Sequence, residues 1–321
     1  MTVDHRRSLV ERAVQRAWVA RANADVSTTT MMSHHFGWDG AAMRGKLLRP
    51  MLVLAACEAL GGDPRDALPA AVAVELLHNF SLVHDDVQDN SAVRRGRPTV
   101  QSRWGAAQAI NAGDTLFVVA RNTLLELRGT LGAGDTLEVI DRVDRACLEL
   151  CHGQGLDLRF EDTLDITVAD YLHMARLKTS ALLELAVALG VFVATRSWPE
   201  ADRVGQLGRR LGLAFQIQDD LLGIWGQHHQ TGKSCCDDLR RRKKSLPVVH
   251  ALEASSDPAA VTLRALYGGG DLSPDQILQA RLCLEQRGSR EFCEALVFHH
   301  RQALAQQLAG LEPLRALLGQ Q

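Results

Sequence analysis

Apolar residues recur along most of this chain at the spacing of α-helices, whereas the alternation typical of strands is rare. Segments 47–60 and 68–83 are apolar at most positions and predict buried helices, because a helix that is apolar on all sides belongs inside a bundle. Further helices are predicted over 106–127, 136–157 and 204–224, with turns at 61–64, 96–98 and 129–134 and a last turn marked by residues 268–270 and 273–274. Segment 227–244 is polar and aperiodic, so we expect a loop over a site. We predict one all-α domain over residues 1–321, with about ten or more helices.

A cluster of aspartates ends the second apolar helix. Asp85, Asp86 and Asp89 follow segment 68–83 directly, and the spacing of four places Asp85 and Asp89 on one helix face. Like charges repel at this spacing, so the pair favours a bound cation, and Mg²⁺ prefers such oxygen ligands. The alternative is an exposed acidic helix end, which the flanking residue Phe80 and its apolar neighbours disfavour.

A second aspartate pair lies far along the chain in another predicted helix. Asp219 and Asp220 follow Gln216, and Gln216 can share a face with Asp219. The position four residues after Asp219 is Gly223, so this cluster lacks a third carboxylate. Taken alone, the pair could be a helix cap or a surface pair. Together, the two clusters suggest a shared cation.

Basic residues follow both clusters and also occur at two other places. They are Lys46, Arg49, Arg94, Arg95, Arg97, Lys178, Lys233 and residues 240–244. Each of these segments could alone be a solvated surface. In combination, carboxylates that hold a metal and cations that take the remaining charge describe a site for a phosphorylated substrate.

Composition narrows the possible partners and the compartment. The net charge of −2 argues against a broad nucleic-acid surface. No apolar run reaches the roughly 18 residues of a membrane span, and the charged residues 1–21 are no signal peptide. The seven cysteines are odd in number and lack zinc-type spacing, so we expect buried free thiols and a cytoplasmic protein.

Ten motifs in consistent order resemble the trans-isoprenyl diphosphate synthase (polyprenyl synthetase) family over roughly residues 45–247. They are Gly45-Lys46-x-x-Arg49-Pro50; His78-x-x-Ser81-Leu82-Val83-His84-Asp85-Asp86-x-x-Asp89; Arg94-Arg95-Gly96-x-Pro98-Thr99; Asn111-Ala112-Gly113-Asp114; Gly153-Gln154-x-x-Asp157-Leu158; Lys178-Thr179; Phe215-Gln216-x-x-Asp219-Asp220; Thr231-Gly232-Lys233; Asp238-Leu239; and Lys243-Lys244-Ser245-Leu246-Pro247.

The resemblance implies a fold and a reaction. The fold is of the isoprenoid synthase type, with antiparallel helices around a deep central cavity, usually in a homodimer. In the reaction, an allylic diphosphate ionises and the double bond of isopentenyl diphosphate attacks the carbocation. Three Mg²⁺ ions stabilise the pyrophosphate that leaves.

The resemblance also implies roles for individual residues. The Mg²⁺ ligands would be Asp85, Asp89 and Asp219, supported by Asp86. The allylic diphosphate would bind Arg94, Lys178 and Lys233. The diphosphate of isopentenyl diphosphate would bind Lys46, Arg49, His78 and Arg95. The carbocation would face Thr179, Gln216 and the carbonyl of Lys178.

Two further positions bear on the binding of the third metal and on the length of the product. Gly223 stands where the family often has an aspartate, so the third metal would bind more loosely. Phe80, five residues before Asp85, would block growth of the product tail, as in short-chain synthases that make geranylgeranyl diphosphate or, next, farnesyl diphosphate.

Two other functions on the same fold stay open. A class I terpene cyclase would ionise one diphosphate and would have no need of the second diphosphate site. A non-catalytic subunit of a hetero-oligomeric prenyl synthase would be expected to lose an aspartate motif, whereas this chain keeps the first one intact.

Overall fold

The computed structural model describes residues 2–22, 26–40, 45, 47–226, 236–253, 256–270 and 272–318, and the predicted all-α class is confirmed. The α-helices are α1 Val3–Ala22, α2 Val26–Phe36, α3 Leu48–Ala59, α4 Leu68–Gln88, α5 Val100–Trp104, α6 Ala106–Leu124, α7 Arg128–Leu131, α8 Ala133–Glu161, α9 Val168–Ala175, α10 Ala181–Thr195, α11 Trp198–Trp225, α12 Asp237–Arg240, α13 Leu246–Glu253, α14 Pro258–Tyr267, α15 Pro274–Gln286, α16 Ser289–Gln307 and α17 Glu312–Leu318. A 3₁₀ turn, Leu125–Leu127, follows α6.

The chain divides into two compact units. The first comprises Met1–Cys147, Leu185–Gln206 and Leu308–Gln321, and the second comprises Leu148–Glu184 and Leu207–Gln307. A single domain over residues 1–321 therefore stays a prediction.

Helix α4 is the centre of the first unit and packs most extensively against α6. It extends past the predicted segment 68–83 and includes the first aspartates. At the contact with α6, a Cβ atom on Gly113 would lie 2.2 Å from Nε2 of His84, so a side chain at Gly113 would collide with that ring. The same His84 nitrogen donates a hydrogen bond to the carbonyl of Ile110 at 3.2 Å. This close approach fixes α4 against α6.

A two-stranded hairpin follows α4, where the sequence suggested only a break in the chain. Strand β1 (Val93–Arg94) pairs antiparallel with β2 (Arg97–Pro98). The two connecting residues, Arg95 and Gly96, have φ values of +52° and +75°. Positive φ at both central positions is the signature of a type I′ turn, which matches the twist of paired strands.

In the second unit, a π-helical segment, Arg176–Ser180, joins α9 to α10. Two glycines allow neighbouring helices to approach its backbone. A Cβ atom on Gly153 of α8 would lie 2.3 Å from the backbone nitrogen of Lys178, and one on Gly212 of α11 would lie 2.6 Å from Cα of Ser180. Isolated π-helical turns occur often at functional sites.

The helical stretch Val168–Thr195, which includes this segment, passes a test of length and hydropathy for a membrane span. Because 83% of its most apolar window is buried within the protein, we interpret it as a core helix. The cytoplasmic location stays a prediction.

Three local expectations were wrong. Residues 237–240 form α12 rather than loop, because Leu239 and Cys236 are buried in a cluster with Ile224; the preceding residues 227–235 lie outside the described part of the chain. The turn predicted at 129–134 contains most of α7. Cys151 is exposed, since it lies on the outer face of α8, whereas the other cysteines that the structure describes are buried.

Candidate active site

The first acidic cluster lies at the carboxyl end of α4. Asp85 is half-buried, Asp86 is buried and Asp89 is exposed. The backbone N–H of Asp89 donates to the carbonyl of Asp85 at 2.8 Å, so the two residues keep the one-turn spacing of the helix. The end of a helix carries partial negative charge from its free carbonyl groups. Carboxylates here are unfavourable by themselves and favour a bound cation.

An ion pair between buried Asp86 and half-buried Arg94 connects this cluster to the hairpin. Nε of Arg94 donates to both carboxylate oxygens of Asp86, at 2.9 and 3.0 Å. Burial raises the pKa of Asp86, and the charge of Arg94 opposes that rise. Among the described residues, none accepts a hydrogen bond from the terminal nitrogens of Arg94. These nitrogens are therefore available to an anion.

Three of the four residues predicted to bind the second diphosphate form a basic cluster in the first unit. Nη1 of Arg49 donates to Nε2 of His78 at 3.2 Å. Burial, and then the charges of Arg49, Arg95 and Arg94, lower the pKa of His78 well below its usual value. The guanidinium of Arg95 packs against Gly45, where a Cβ atom would lie 2.8 Å from Nη1. The fourth predicted residue, Lys46, lies outside the described residues.

Three residues to which the sequence assigned no role form a chain of hydrogen bonds next to this cluster. Nε2 of His35 donates to Oδ1 of Asn79 at 3.0 Å, and Nδ2 of Asn79 donates to Oε1 of Glu75 at 2.8 Å. Burial, together with the nearby charges of Arg95 and Arg94, lowers the pKa of His35 to about 3. Polar residues four apart inside the apolar segment 68–83 were a usable signal for Glu75 and Asn79. The sequence has no comparable signal for His35.

The hairpin is also tied to α2. Nε2 of His34 donates to the carbonyl of Pro98 at 2.8 Å, so its Nδ1 accepts from Nη2 of Arg97, also at 2.8 Å. Arg97 forms an ion pair with Asp39 as well. The guanidinium of Arg97 is therefore occupied in holding the hairpin, whereas Arg94 uses only its Nε for its contact with Asp86.

In the second unit, Lys178 pairs with a carboxylate that carried no predicted role. Its Nζ donates to Oδ2 of Asp157 at 2.5 Å. Asp157 and Gly153 are one turn apart on α8, so the helix that approaches the backbone of Lys178 at Gly153 also presents the partner carboxylate.

A chain of hydrogen bonds links Thr179 to the second aspartate pair. The hydroxyl of Thr179 donates to Oε1 of Gln216 at 2.7 Å, and Nε2 of Gln216 donates to Oδ1 of Asp220 at 3.2 Å. Tyr171 donates its hydroxyl to Oδ2 of Asp220. Burial raises the pKa of Asp220 to about 6, although Lys243 opposes this. Asp219 is exposed on the same helix, α11, so the buried carboxylate orients Gln216 and the exposed one faces outward.

Within the part of the chain that the structure describes, no three His, Cys, Asp or Glu side chains are grouped to hold a metal ion by themselves. Mg²⁺ is usually bound by one or two carboxylates together with waters and substrate phosphates. The exposed Asp89 and Asp219 and the half-buried Asp85 have the chemistry for that kind of binding. A cation shared by the two clusters stays a prediction, and Lys233 lies outside the described residues.

Comparison with known proteins establishes the family. The sequence model of the polyprenyl synthetase family matches residues 35–282. The chain belongs to the polyprenyl synthetase family. The resemblance noted from its motifs is confirmed, and so is the isoprenoid synthase type of helical fold.

Two relatives show how far the likeness to this polyprenyl synthetase extends. A geranylgeranyl diphosphate synthase of Mycobacterium tuberculosis is 47% identical over 244 residues, which is 74% of this chain and 69% of the relative. The crystal structure of a polyprenyl synthetase from Streptomyces coelicolor A3(2) is 34% identical, with a TM-score of 0.88 over 98% of this chain and 96% of that one.

A third relative has ligands. The geranylgeranyl pyrophosphate synthase from Corynebacterium glutamicum, solved with isoprenyl diphosphate and magnesium, is 27% identical to this polyprenyl synthetase. Its TM-score is 0.81 over 98% of this chain and 96% of that chain. The family and this neighbour indicate dependence on a divalent metal.

The buried histidines predict how stability depends on pH. Unfolded His35 gains its proton near pH 6.5, whereas the folded residue gains it only near pH 3. Between these values the unfolded state binds more protons, so stability falls as the pH falls, by up to ~1.4 kcal/mol per pH unit for one such group. The variant His35→Gln keeps a hydrogen-bond donor for Asn79 but cannot take up this proton. We therefore expect its free energy of unfolding to fall less steeply with falling pH than that of the wild type.

Urea unfolding at pH 7.5, 6.5 and 5.5 would measure this slope. His152→Gln, which changes an exposed histidine on α8, is the matched control and should keep the wild-type slope. Equal slopes for the wild type and His35→Gln would contradict the assignment of a neutral buried histidine.

Proposed function

We propose that this chain is a metal-dependent trans-prenyltransferase that condenses isopentenyl diphosphate with an allylic diphosphate to a short-chain prenyl diphosphate. The observation that carries the proposal is the joint placement of an acidic helix end and a basic cluster around α4 of the first unit. Asp85 and Asp89 end this helix, and Asp86 and Arg94 connect it to the hairpin that presents Arg95. The names of the relatives point to the same reaction.

The basic cluster is the proposed site for the diphosphate of isopentenyl diphosphate. Arg49 and Arg95 supply positive charge, together with Lys46. Because Nε2 of His78 accepts from Arg49 and the ring is neutral, its proton lies on Nδ1 and can be donated to a phosphate oxygen. A neutral histidine adds a donor without further repulsion between the arginines.

The acidic residues are the proposed metal ligands, with Asp85 and Asp89 for two Mg²⁺ ions and Asp219 for a third. When bound, Mg²⁺ neutralises the charge that develops on the leaving pyrophosphate. The terminal nitrogens of Arg94 and the ammonium groups of Lys178 and Lys233 bind the allylic diphosphate.

Heterolysis of the allylic C–O bond leaves a carbocation, and the double bond of isopentenyl diphosphate forms the new C–C bond. The released pyrophosphate takes the proton that is lost. In the proposed site, the carbonyl of Lys178, the hydroxyl of Thr179 and the amide oxygen of Gln216 face the positive charge. Their orientation depends on the hydrogen bonds through Gln216 to buried Asp220.

We propose geranylgeranyl diphosphate as the product, with farnesyl diphosphate next. Phe80 of α4 contacts Phe117 of α6, with their ring centroids 5.4 Å apart, and an edge of His84 at 4.8 Å. A pair of aromatic rings from two tightly packed helices is a rigid stop for a growing isoprenoid tail. The sequence analysis assigned this role to Phe80 alone, and we propose that Phe117 shares it.

We propose that the active form is a homodimer. Ile110, Val118 and Leu125 are 44%, 55% and 38% exposed, and they fall within about 80° of one another around α6 and the turn that follows. A stripe of large apolar residues exposed on a single helix face suits contact with a second copy.

A product assay tests the reaction. We expect the protein, with Mg²⁺, labelled isopentenyl diphosphate and dimethylallyl, geranyl or farnesyl diphosphate, to place label in a twenty-carbon prenyl diphosphate. Excess EDTA should abolish the product, and added Mg²⁺ should restore it. A hydrocarbon or alcohol formed from the allylic diphosphate alone would point to a cyclase, and inactivity of the folded protein to a non-catalytic subunit.

Chain length tests the aromatic stop. Phe80→Ala and Phe117→Ala should each lengthen the product by at least one isoprene unit, because each removes a ring from the path of the tail. Phe298→Ala, which changes an exposed phenylalanine of α16, should leave the product unchanged. The same product from all three variants would mean that the tail ends elsewhere.

Sedimentation equilibrium tests the dimer. The wild type should have twice the 35.1 kDa mass of one chain. Val118→Asp should shift the equilibrium towards monomer, because it places a charge in the exposed apolar stripe. A monomeric wild type at micromolar concentration would refute the proposal.

A further inference from the structure

The turn before α3 in the first unit has a conformation that its own residues do not favour. Leu47, which precedes the first residue of α3, has a φ of +54° and a ψ of +29°, in the left-handed region that is unfavourable for a residue with a side chain. Within the part of the chain that the structure describes, no side chain at this position caps the helix. Such a conformation persists where contacts from the surrounding structure hold it.

Two contacts of this kind meet at Gly45. The guanidinium of Arg95 lies against its backbone, since a Cβ atom on Gly45 would be 2.8 Å from Nη1 and 3.0 Å from Nη2. In addition, Nη2 of Arg7 donates a hydrogen bond to the carbonyl of Gly45 at 3.0 Å. Arg7 lies on α1, 38 residues before Gly45 and ahead of all the motifs that indicated the family. It connects α1 to the turn in which Lys46 is the next residue.

The charge of Arg7 is balanced within its own helix. Its Nε donates to Oε1 of Glu11 at 3.3 Å, one helical turn away. A carboxylate at this distance offsets much of the attraction that the guanidinium would exert on an anion. What Arg7 provides to the turn is therefore a directed hydrogen bond more than additional positive charge.

The neighbouring residue Arg6 shows what an arginine that serves the fold looks like. Its side chain is 4% exposed and forms an ion pair with Glu58, near the other end of α3, so it stabilises the packing of α1 on α3. The side chain of Arg7 is 41% exposed. Loss of a side chain at the surface usually changes the stability of a fold little. Stabilisation of the bundle is thus a poor explanation for the contact of Arg7 with Gly45.

We propose that Arg7 is a positioning residue for the diphosphate of isopentenyl diphosphate. By holding the carbonyl of Gly45, it keeps the turn before α3 against Arg95. Lys46 and Arg49, which follow Gly45 in the chain, then act on the same diphosphate as Arg95. A preorganised set of cations binds an anion more tightly than one that must be ordered on binding. The inference rests on the proposed function, because it adds a residue to the same substrate site.

Two substitutions separate placement from charge. Arg7→Gln removes the charge, whereas Arg7→Lys keeps it but lacks the planar fork that donates to Glu11 and Gly45 together. We expect both variants to bind isopentenyl diphosphate about 10-fold more weakly, as loss of a hydrogen bond from a charged donor typically does. Arg12→Gln is the matched control, because Arg12 is an exposed arginine of α1 that donates to Ser8 of the same helix. It should bind as the wild type does.

The measurement is the affinity for isopentenyl diphosphate, taken from calorimetric titration without an allylic diphosphate and from KM during turnover. Kinetics distinguish placement of one substrate from general damage to the site. In both Arg7 variants, KM for isopentenyl diphosphate should rise, while kcat and KM for farnesyl diphosphate stay within about twofold of the wild type. The midpoint of thermal unfolding should change little.

A double-mutant cycle tests whether Arg7 acts through Gly45. Gly45→Ala places a methyl group against the guanidinium of Arg95 and should itself weaken the binding of isopentenyl diphosphate. Because both substitutions disturb one contact, Arg7→Gln should cost little further affinity in the Gly45→Ala background. Effects that multiply would show that Arg7 acts elsewhere and would overturn the proposal.

The outcomes also separate this inference from the proposed function. A wild type that neither binds nor incorporates isopentenyl diphosphate would refute both. A wild type that uses it, with both Arg7 variants unchanged, would overturn the role of Arg7 and leave the function standing. Weak binding by Arg7→Gln with wild-type binding by Arg7→Lys would also overturn that role, because charge rather than placement would then matter. If Arg7→Gln does not fold, as judged by circular dichroism, Arg7→Lys alone and in the Gly45→Ala background still decides.

Discussion

The ion pair between buried Asp86 and half-buried Arg94 is the interaction on which the first half of the site depends. It connects a helix end that carries three carboxylates to a hairpin that carries the cations, and it holds both within a few ångströms. Removing Arg94 would leave the buried charge of Asp86 uncompensated, at a cost of up to about 3–5 kcal/mol. The same contact aligns Arg94 so that its terminal nitrogens point away from the aspartate that holds it. The guanidinium of Arg94 thus contributes both to the stability of the fold and, in the proposed function, to substrate binding.

The concentration of positive charge around Arg49, Arg94 and Arg95 requires that the neighbouring histidines stay neutral. His35 and His78 lie among Arg49, Arg94 and Arg95, and burial together with those charges lowers the pKa of both. Protonated rings here would add repulsion to the positive charges of the three arginines. As neutral rings they act as hydrogen-bonding spacers, and the excess charge is carried by the arginines, whose geometry suits phosphate oxygens.

The sequence predicted most of the helices and the two aspartate clusters, because apolar periodicity and short motifs are local signals. It did not predict the hairpin turn, since a positive φ at Arg95 is unusual for a residue with a side chain. The π-helical segment at Lys178 has no periodicity that distinguishes it from a regular helix. Partnerships between distant elements, such as Lys178 with Asp157, have no local signal either. The pairing of Lys178 with Asp157 depends on the close approach of α8 to the backbone of Lys178 at Gly153, and only the folded structure reveals that approach.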